Sequence, residues 1–303
     1  MFNRRWGSVT ITLVLLVSAA GLLASCTGGT PTPTPTPTEL SGSLQIKGSD
    51  TMINLGSAWA EAFMKKYPKV SLAVTGGGSG TGIAALLNKT CDIAQSSRKM
   101  SQKEYDQARV NGFEAVETVV ALDGLSVVVN PANPVNELTT AQLSAIYTNK
   151  VTNWKEVGGN DAPMVVLSRD TNSGTHVFFK EHVVQMAGLP TADTKLEYGP
   201  KVLMMASSKV GVDEVETNPN AILYVGLGYV TPKVKVVGIK KDAQSAAVKP
   251  SIETVKSGTY PIARPLHFYT KGQPAGLVKA YVDWVLSPEG QQIAQKLDFV
   301  PLK

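Results

Sequence analysis

The chain has 303 residues, of which 43% are hydrophobic and 17% are charged, and its formal net charge is +5. This length is enough to bury a sizeable core, in one large domain or in two lobes. No run of basic residues with interleaved aromatic residues is present, so we expect no nucleic-acid partner. A mildly basic surface weakly favours anionic solutes.

The first 25 residues have the pattern of a secretory leader. Arg4 and Arg5 form a basic start, and the apolar run that follows, 9–23, is short for a membrane span. The run ends in Leu-Ala-Ser-Cys, which resembles a bacterial lipobox, so we expect lipidation of Cys26 and residence on the extracytoplasmic face of the cell membrane. The alternative is an ordinary signal peptide or a membrane helix in which the cysteine occurs by chance.

Residues 26–41 are predicted to carry the lipid anchor and a linker. Threonine and proline alternate from 30 to 38, and such a segment is extended and semi-rigid without a core of its own. The folded part would begin at Gly42. Cys91 is the remaining cysteine, and two cysteines at this spacing indicate neither a metal site nor a CxxC motif. With Cys26 acylated, we expect no intramolecular disulfide.

Strand-like and helix-like patterns alternate after residue 42, which predicts an α/β fold. The spacing of apolar residues indicates each element, and glycine or proline marks where it ends. In chain order they predict a strand at 44–47, a helix at 52–66, a strand at 70–75, a helix at 81–88, a strand at 92–95, a helix at 102–110, strands at 125–130 and 164–167, a helix at 175–186, strands at 222–225, 234–238 and 266–269, and helices at 277–286 and 288–297.

Three of the predicted strand-to-helix junctions share small and hydroxyl-bearing residues. They read GSDTM at 48–52, GGGSGTG at 76–82 and SRDTNSGT at 168–175. A helix start has up to four free N–H groups and a partial positive charge, and glycine lets a ligand approach the backbone, so such loops suit an anion. Each loop alone could equally be an ordinary N-cap and turn, but three in one chain favour a shared tetrahedral oxyanion.

Two arginines accompany these loops. Arg169 lies in the third junction, and a guanidinium offers paired donors that match two oxygens of one oxyanion. Arg98 follows a short strand and two serines, and it could be either a surface charge on the next helix or a second guanidinium that faces the anion. No Gly-Lys-Ser/Thr follows the glycine-rich loops, so neither is a Walker A motif.

In this order, the loops resemble those of the periplasmic phosphate-binding proteins of ABC importers, the PstS type. The resemblance spans nearly all of 44–303 and rests on KGSDTM, GGGSGTGI, DIAQSSR, SRDTNSGTHVFF and WVLSPEGQQI. It implies a type II periplasmic-binding-protein-like fold of two α/β lobes, with mixed sheets flanked by helices and the ligand in the interlobe cleft. Matching the pattern gives lobe 1 as 42–122 plus 231–303 and lobe 2 as 123–230.

The resemblance also implies the function and the site. The expected partners are inorganic phosphate and the permease subunits of an ABC importer, with no cofactor and no metal, and the chain is expected to be a monomer. The implied phosphate-binding residues are Ser49, Thr51, Met52, Ser79, Ser97, Arg98, Arg169, Ser173, Gly174 and Thr175.

One position departs from the family pattern. Many members have an aspartate where this chain has Ser97, and that aspartate accepts the proton of hydrogen phosphate and helps to reject sulfate. Another acceptor is then needed, and Asp50 and Asp170 are the candidates. Each could instead be a helix cap or a partner of an arginine.

Three other functions remain open on the sequence alone. The first is a receptor for another oxyanion, such as sulfate, molybdate or tungstate. The second is a phosphatase that uses a loop serine, but it needs an oriented base, and His176, His182 and His267 read better as surface or core residues. The third is an adhesin or sensor on the same fold, since a fold does not fix a function.

Overall fold

The computed structural model describes residues 39–186 and 188–302, which belong to one compact unit. The predicted signal peptide at 1–25, the lipidation site Cys26 and most of the predicted linker lie outside the described residues. Among the helices of the described ranges, none is long and apolar enough to cross a membrane.

A mixed sheet forms the centre of the described part of the chain. Its strands are β1 (Gly42–Gly48), β2 (Val70–Thr75), β3 (Ile93–Ser96), β4 (Ala115–Val129), β5 (Glu137–Thr139), β6 (Val165–Arg169), β7 (Leu203–Met205), β8 (Ala221–Gly226), β9 (Lys235–Lys240) and β10 (Ala263–Lys271). The helices are α1 (Ile53–Lys66), α2 (Ser79–Leu87), α3 (Gln102–Val110), α4 (Thr140–Tyr147), α5 (Gly174–Phe179), α6 (Ser208–Thr217), α7 (Ile252–Lys256), α8 (Gly276–Val285) and α9 (Pro288–Lys296).

The strand order is β2-β1-β3-β10-β4-β8-β6-β7, and β9 pairs with both β4 and β5. The pairs β1–β2, β1–β3, β6–β7 and β6–β8 are parallel, whereas β10 runs antiparallel to β3 and β4. Parallel strands joined through helices place their carboxyl ends at one edge of a sheet. The predicted α/β class with mixed sheets and flanking helices is therefore confirmed.

Strand β4 belongs to two hydrophobic cores. Its first part pairs with β10, and its last residues, Leu125–Val129, pair with β8 and β9. The first core packs α1, α8 and α9 against β1, β2 and β10, with Trp59, Phe63 and Phe268 fully buried. The second core packs α4 and α5 against the end of β4, with Tyr147 and Tyr224 fully buried. The 15-residue β4 thus joins the two cores.

The packing of residues 237–262 bears on one expected boundary. The resemblance implies that all of 231–303 belongs to lobe 1, whereas Val237, Ile239, Tyr260 and Ile262 pack into the second core. The reason is that β9 hydrogen-bonds to the second part of β4, a pairing that the apolar pattern of β9 could not reveal. The chain returns to the first core only in β10.

Candidate functional site

The ends of β1 and β3 and the start of α2 bring three loops together. Ser49 Oγ donates to Ser97 Oγ at 2.9 Å. Ser79 Oγ lies 3.3 Å from Ser97 Oγ and accepts the Ser97 backbone N–H at 3.0 Å. Each of these serines is at most 1% exposed. Because β1, β2 and β3 are parallel neighbours, the residues that follow them meet at one sheet edge.

The loop after β6 completes this group from the other core. Thr175 Oγ1 lies 2.8 Å from Thr51 Oγ1, and both residues are 1% exposed. We call Ser49, Thr51, Ser79, Ser97 and Thr175 the hydroxyl cluster. Its members come from four separate segments of the chain, so the cluster exists only in the folded protein.

Two further residues of the loop after β6, Ser173 and Gly174, allow this loop to lie against the hydroxyl cluster. Ser173 Oγ accepts the N–H groups of Thr175 and His176 at the start of α5, which leaves its own proton for another acceptor. Gly174 lies against the cluster so closely that a Cβ there would come 2.3 Å from Ser79 Oγ. Glycine is therefore required at this contact.

Arg169 is buried beside the cluster and already has several partners. Its guanidinium donates to Asp50 Oδ2 at 2.8 Å, to Ser208 Oγ at 2.7 Å and to the carbonyls of Met205 and Ala206. Asp50 Oδ1 accepts the Gly77 N–H at 2.9 Å. Asp50 thus has the role of arginine partner, one of the two alternatives that the sequence left open.

Tyr229 holds the backbone of the turn that carries Thr51. Its hydroxyl donates to the carbonyl of Asp50 at 2.6 Å. Burial, followed by the charge of Asp50, raises the pKa of Tyr229 to about 12, so the phenol keeps its proton at neutral pH. In the same turn, the Met52 N–H donates to the Ser49 carbonyl at 3.1 Å and the Met52 side chain is fully buried. The predicted ligand N–H of Met52 is therefore part of the turn in this structure.

The structure does not bring Arg98 or Asp170 into the cluster. Both terminal nitrogens of Arg98 donate to the Glu104 carboxylate, at 2.8 and 2.7 Å, at the start of α3. Of the two alternatives that the sequence leaves open for Arg98, this fork-shaped ion pair at the start of a helix favours a role outside the anion site. Asp170 is exposed, whereas every member of the hydroxyl cluster is buried.

Sequence reasoning missed a buried ion pair that joins the cluster. Arg264 in β10 lies directly opposite Asp123 in β4, and they are 2% and 0% exposed. Arg264 Nη2 donates to Thr175 Oγ1 at 2.9 Å and to Thr51 Oγ1 at 3.3 Å. The signal available was a charged residue flanked by apolar residues in each strand, Asp123 within VVALDGLSVVV and Arg264 within PIARPLHF. Burial raises the pKa of Asp123 and lowers that of Arg264.

Two cavities adjoin the site. One, of about 760 Å³, is lined by Asp50, Ser208 and Tyr229 among others. The second, of about 660 Å³, is lined by Ser97, Arg98 and Arg264 among others. Each cavity thus includes residues of the site or its arginine partners.

The comparisons with known proteins agree with this arrangement. Residues 33–289 match the family model of the PBP superfamily domain. The phosphate-binding protein PstS of Pseudomonas aeruginosa is 32% identical over 280 residues, which cover 87% of this chain and 84% of that protein. The chain belongs to the PstS-type phosphate-binding proteins.

Two more members of this family show how far the likeness extends. PstS of Bacillus subtilis is 31% identical over 300 residues, which cover 96% of this chain and 94% of that protein. A crystal structure of a substrate-binding protein with bound phosphate from Clostridium perfringens superposes with a TM-score of 0.76 at 32% identity. That match covers 86% of this chain and 100% of the other.

Proposed function

We propose that this chain binds inorganic phosphate outside the cytoplasm and delivers it to the permease of an ABC importer. The observation that carries the proposal is the hydroxyl cluster: side chains from four segments converge in a buried place beside Arg169. The relatives named above, which are phosphate-binding proteins by name, support the same ligand. Ser173 and Gly174 would complete the ligand set with a hydroxyl and a backbone N–H.

The charges around the cluster favour recognition by hydrogen bonds. Arg169 is paired with Asp50, and Arg264 is paired with Asp123, so these four buried or half-buried groups sum to no net charge. An oxyanion would therefore be held mainly by oriented donors. A dehydrated anion loses many hydrogen bonds to water, and a buried site binds it only if nearly every donor is aimed at it.

The site joins the two cores, which supports a closing mechanism. Thr51 lies in the loop after β1 of the first core, and Thr175 lies in the loop after β6 of the second. We propose two lobes built on these cores and joined by β4 and β10, with the boundary moved to the start of β10. A ligand that contacts both loops stabilises the closed arrangement by its differential affinity, and a permease could recognise that arrangement.

The proposal includes the membrane anchor. An acylated Cys26 followed by the threonine- and proline-rich linker would hold the binding domain near the importer, and two acyl chains would give stable anchoring. We also propose that the chain acts as a monomer, with one ligand per chain.

A receptor fits the contacts better than a loop-serine phosphatase. Within the described ranges, no serine of the hydroxyl cluster has a histidine as a hydrogen-bond partner. His176 Nδ1 lies 3.2 Å from Ser168 Oγ, a residue outside the cluster, and His182 Nδ1 lies 3.0 Å from the Phe178 carbonyl. Nucleophilic catalysis requires a base beside the attacking hydroxyl.

Isothermal titration with phosphate and with sulfate, at several values between about pH 5 and 8, tests the ligand directly. We expect one phosphate per chain and much weaker sulfate binding. A chromogenic phosphate ester should be bound or ignored but not turned over. Preference for sulfate at every pH would overturn the ligand and leave the fold intact, and sustained turnover would overturn the receptor.

A further inference from the structure

Arg264 and Asp123 form a cross-strand pair at the point where β4 changes partners. Arg264 lies opposite Asp123 in the β4–β10 register, and from Leu125 onward β4 pairs with β8 instead. The pair therefore sits at the junction of the two cores. Charged residues are rarely buried in such a place unless they are paired or functional.

The Asp123 carboxylate is fully used in holding the guanidinium. Its Oδ2 accepts Nε of Arg264 at 3.1 Å and Nη2 at 2.9 Å, and its Oδ1 accepts the Leu227 N–H at 3.2 Å. This fixes the Nε–Nη2 side of the guanidinium and leaves Nη1 and the second N–H of Nη2 directed away from Asp123. Nη2 already reaches the hydroxyls of Thr51 and Thr175.

Nη1 of Arg264 is the unusual atom. It is buried, and it has no hydrogen-bond partner among the described residues. The guanidinium carbon lies 5.5 Å from the centre of the Phe178 ring, a contact that compensates only in part for two missing hydrogen bonds. Buried charged donors without partners are costly, and a native structure that keeps one needs a reason for it.

We propose that Arg264 is a second anion-binding guanidinium, which contacts the phosphate with Nη1 and Nη2 while Asp123 positions it. This inference rests on the proposed function, since it adds a residue to the same site. Two adjacent N–H edges suit two oxygens of one tetrahedral anion. The second guanidinium of the site would thus be an arginine from the crossover strand β10 rather than Arg98.

Phosphate titration of Arg264→Lys against Arg98→Lys tests the proposal. Lysine keeps the charge and loses the paired geometry, so we expect Arg264→Lys to bind phosphate roughly 10- to 100-fold more weakly. Arg98→Lys is the matched control, because Arg98 is a half-buried, ion-paired arginine outside the cluster, and the phosphate affinity of this variant should change less than about threefold. Thermal unfolding of both variants shows whether each is folded.

A second variant covers the case in which Arg264→Lys does not fold. Asp123→Asn/Arg264→Gln replaces the ion pair by a neutral hydrogen-bonded pair and leaves no buried charge alone, and it should fold yet bind phosphate about 100-fold more weakly or worse. A crystal structure with phosphate should place Nη1 or Nη2 within about 3.2 Å of a phosphate oxygen.

Two outcomes would overturn the role of Arg264: unchanged affinity in either folded Arg264 variant, or both terminal nitrogens beyond about 4 Å from every phosphate oxygen. Either result would leave the phosphate receptor itself standing. If the unmodified chain binds no phosphate, the proposed function fails first, and the two failures are distinguishable.

Discussion

Hydroxyl groups can donate and accept hydrogen bonds, whereas an ionised carboxylate can only accept. In the described part of the chain, the carboxylates nearest the hydroxyl cluster, Asp50 and Asp123, are both occupied by guanidinium and backbone N–H donors. We predict that neither receives the proton of a bound hydrogen phosphate, because donors already hold both carboxylates. On this prediction, the discrimination between hydrogen phosphate and sulfate depends on Ser97 and its neighbours.

Replacement of Ser97 by aspartate should sharpen this discrimination. The carboxylate would lie beside the hydroxyls of Ser49 and Ser79, which can both donate to it. It can accept a proton from hydrogen phosphate but meets only negative oxygens on sulfate, so the phosphate-to-sulfate affinity ratio should rise about 100-fold. Titration calorimetry with both anions at neutral pH measures this ratio.

Ser97→Asn is the matched control for that change, because it has nearly the shape of aspartate without its charge. We expect the ratio in Ser97→Asn to stay near that of the unmodified chain. Equal ratios in the Asp and Asn variants would contradict the charge argument. Loss of all binding in both would instead indicate that the space beside Gly174 is too small for either side chain.

Burial of His176 should make the free energy of unfolding increase with pH. Desolvation lowers the pKa of His176 from 6.5. Between the lowered folded value and 6.5, the unfolded chain binds a proton that the folded chain does not, so the free energy of unfolding rises with pH in this window and levels off above it. His176→Gln should remove this part of the slope.

Urea unfolding of the unmodified chain and of His176→Gln, at about pH 5 and pH 7, checks the prediction. The difference in free energy between the two pH values should be smaller in the variant. Carboxylates titrate in both proteins and cancel in this comparison. An identical pH dependence would show that His176 titrates alike in the folded and unfolded chains.

The site residues that lie in loops could be predicted from the sequence, whereas those that lie in strands could not. Thr51, Ser79 and Thr175 lie in junctions of glycine and hydroxyl-bearing residues, and this composition alone indicates a candidate anion-binding loop. Arg264 and Asp123 have no such neighbours. Their role comes from a strand pairing across 141 residues, and only the folded chain sets that register.

The boundaries of helices and strands could likewise be predicted where local sequence sets them, but not where tertiary pairing does. Helices such as α1, α3, α8 and α9 were predicted to within two residues because their apolar spacing and caps are local. The sequence pattern missed α4, α6, α7, β5 and β7, and it placed the start of β4 ten residues too late. The early part of β4 is half-buried, and its pairing with β10 rather than its own pattern makes it a strand.

The start of α3 carries a local network that combines a capping box with an ion pair. Glu104 Oε2 accepts the Ser101 N–H at 2.7 Å, the Ser101 hydroxyl accepts the Glu104 N–H, and the same carboxylate holds Arg98. Glu104→Ala removes the cap and the ion pair together, so the free energy of unfolding should fall by about 2 kcal/mol. Denaturant titration measures it.

Glu104→Gln is the graded control, since it keeps one acceptor for the cap, and it should lose about half as much stability. Phosphate affinity should change less than about twofold in both variants, because Arg98 contacts Glu104 and not the cluster. A tenfold drop in affinity without unfolding would show that Arg98 takes part in the anion site after all.

At the scale of the whole molecule, the two cores meet through direct contacts between their loops. Besides the threonine pair, the Gly80 N–H at the start of α2 donates to the carbonyl of Asn172 in the loop after β6 at 3.0 Å. The Arg169–Asp50 ion pair, the Tyr229–Asp50 hydrogen bond and the continuous strands β4 and β10 also join the cores. If a ligand enters and leaves by separation of these loops, the Gly80–Asn172 contact must break in each cycle.

A disulfide between the loops should therefore trap the ligand. A Cβ at Gly80 would lie 3.7 Å from the Asn172 Cα, which is close enough for Gly80→Cys/Asn172→Cys to form a bond. In a chain that also carries Cys26→Ser, phosphate release should be roughly 100-fold slower or more when oxidised, and reduction should restore it. Stopped-flow release with a phosphate sensor measures the rate.

The native Cys91 should not interfere with this experiment. It is 2% exposed, and burial raises the pKa of its thiol to about 11, so it stays protonated and unreactive. The two single-cysteine variants control for effects of each substitution on the rate. Equal release from the oxidised and reduced double variant would mean that phosphate leaves while Gly80 and Asn172 stay in contact, and the path would then run through one of the two adjoining cavities.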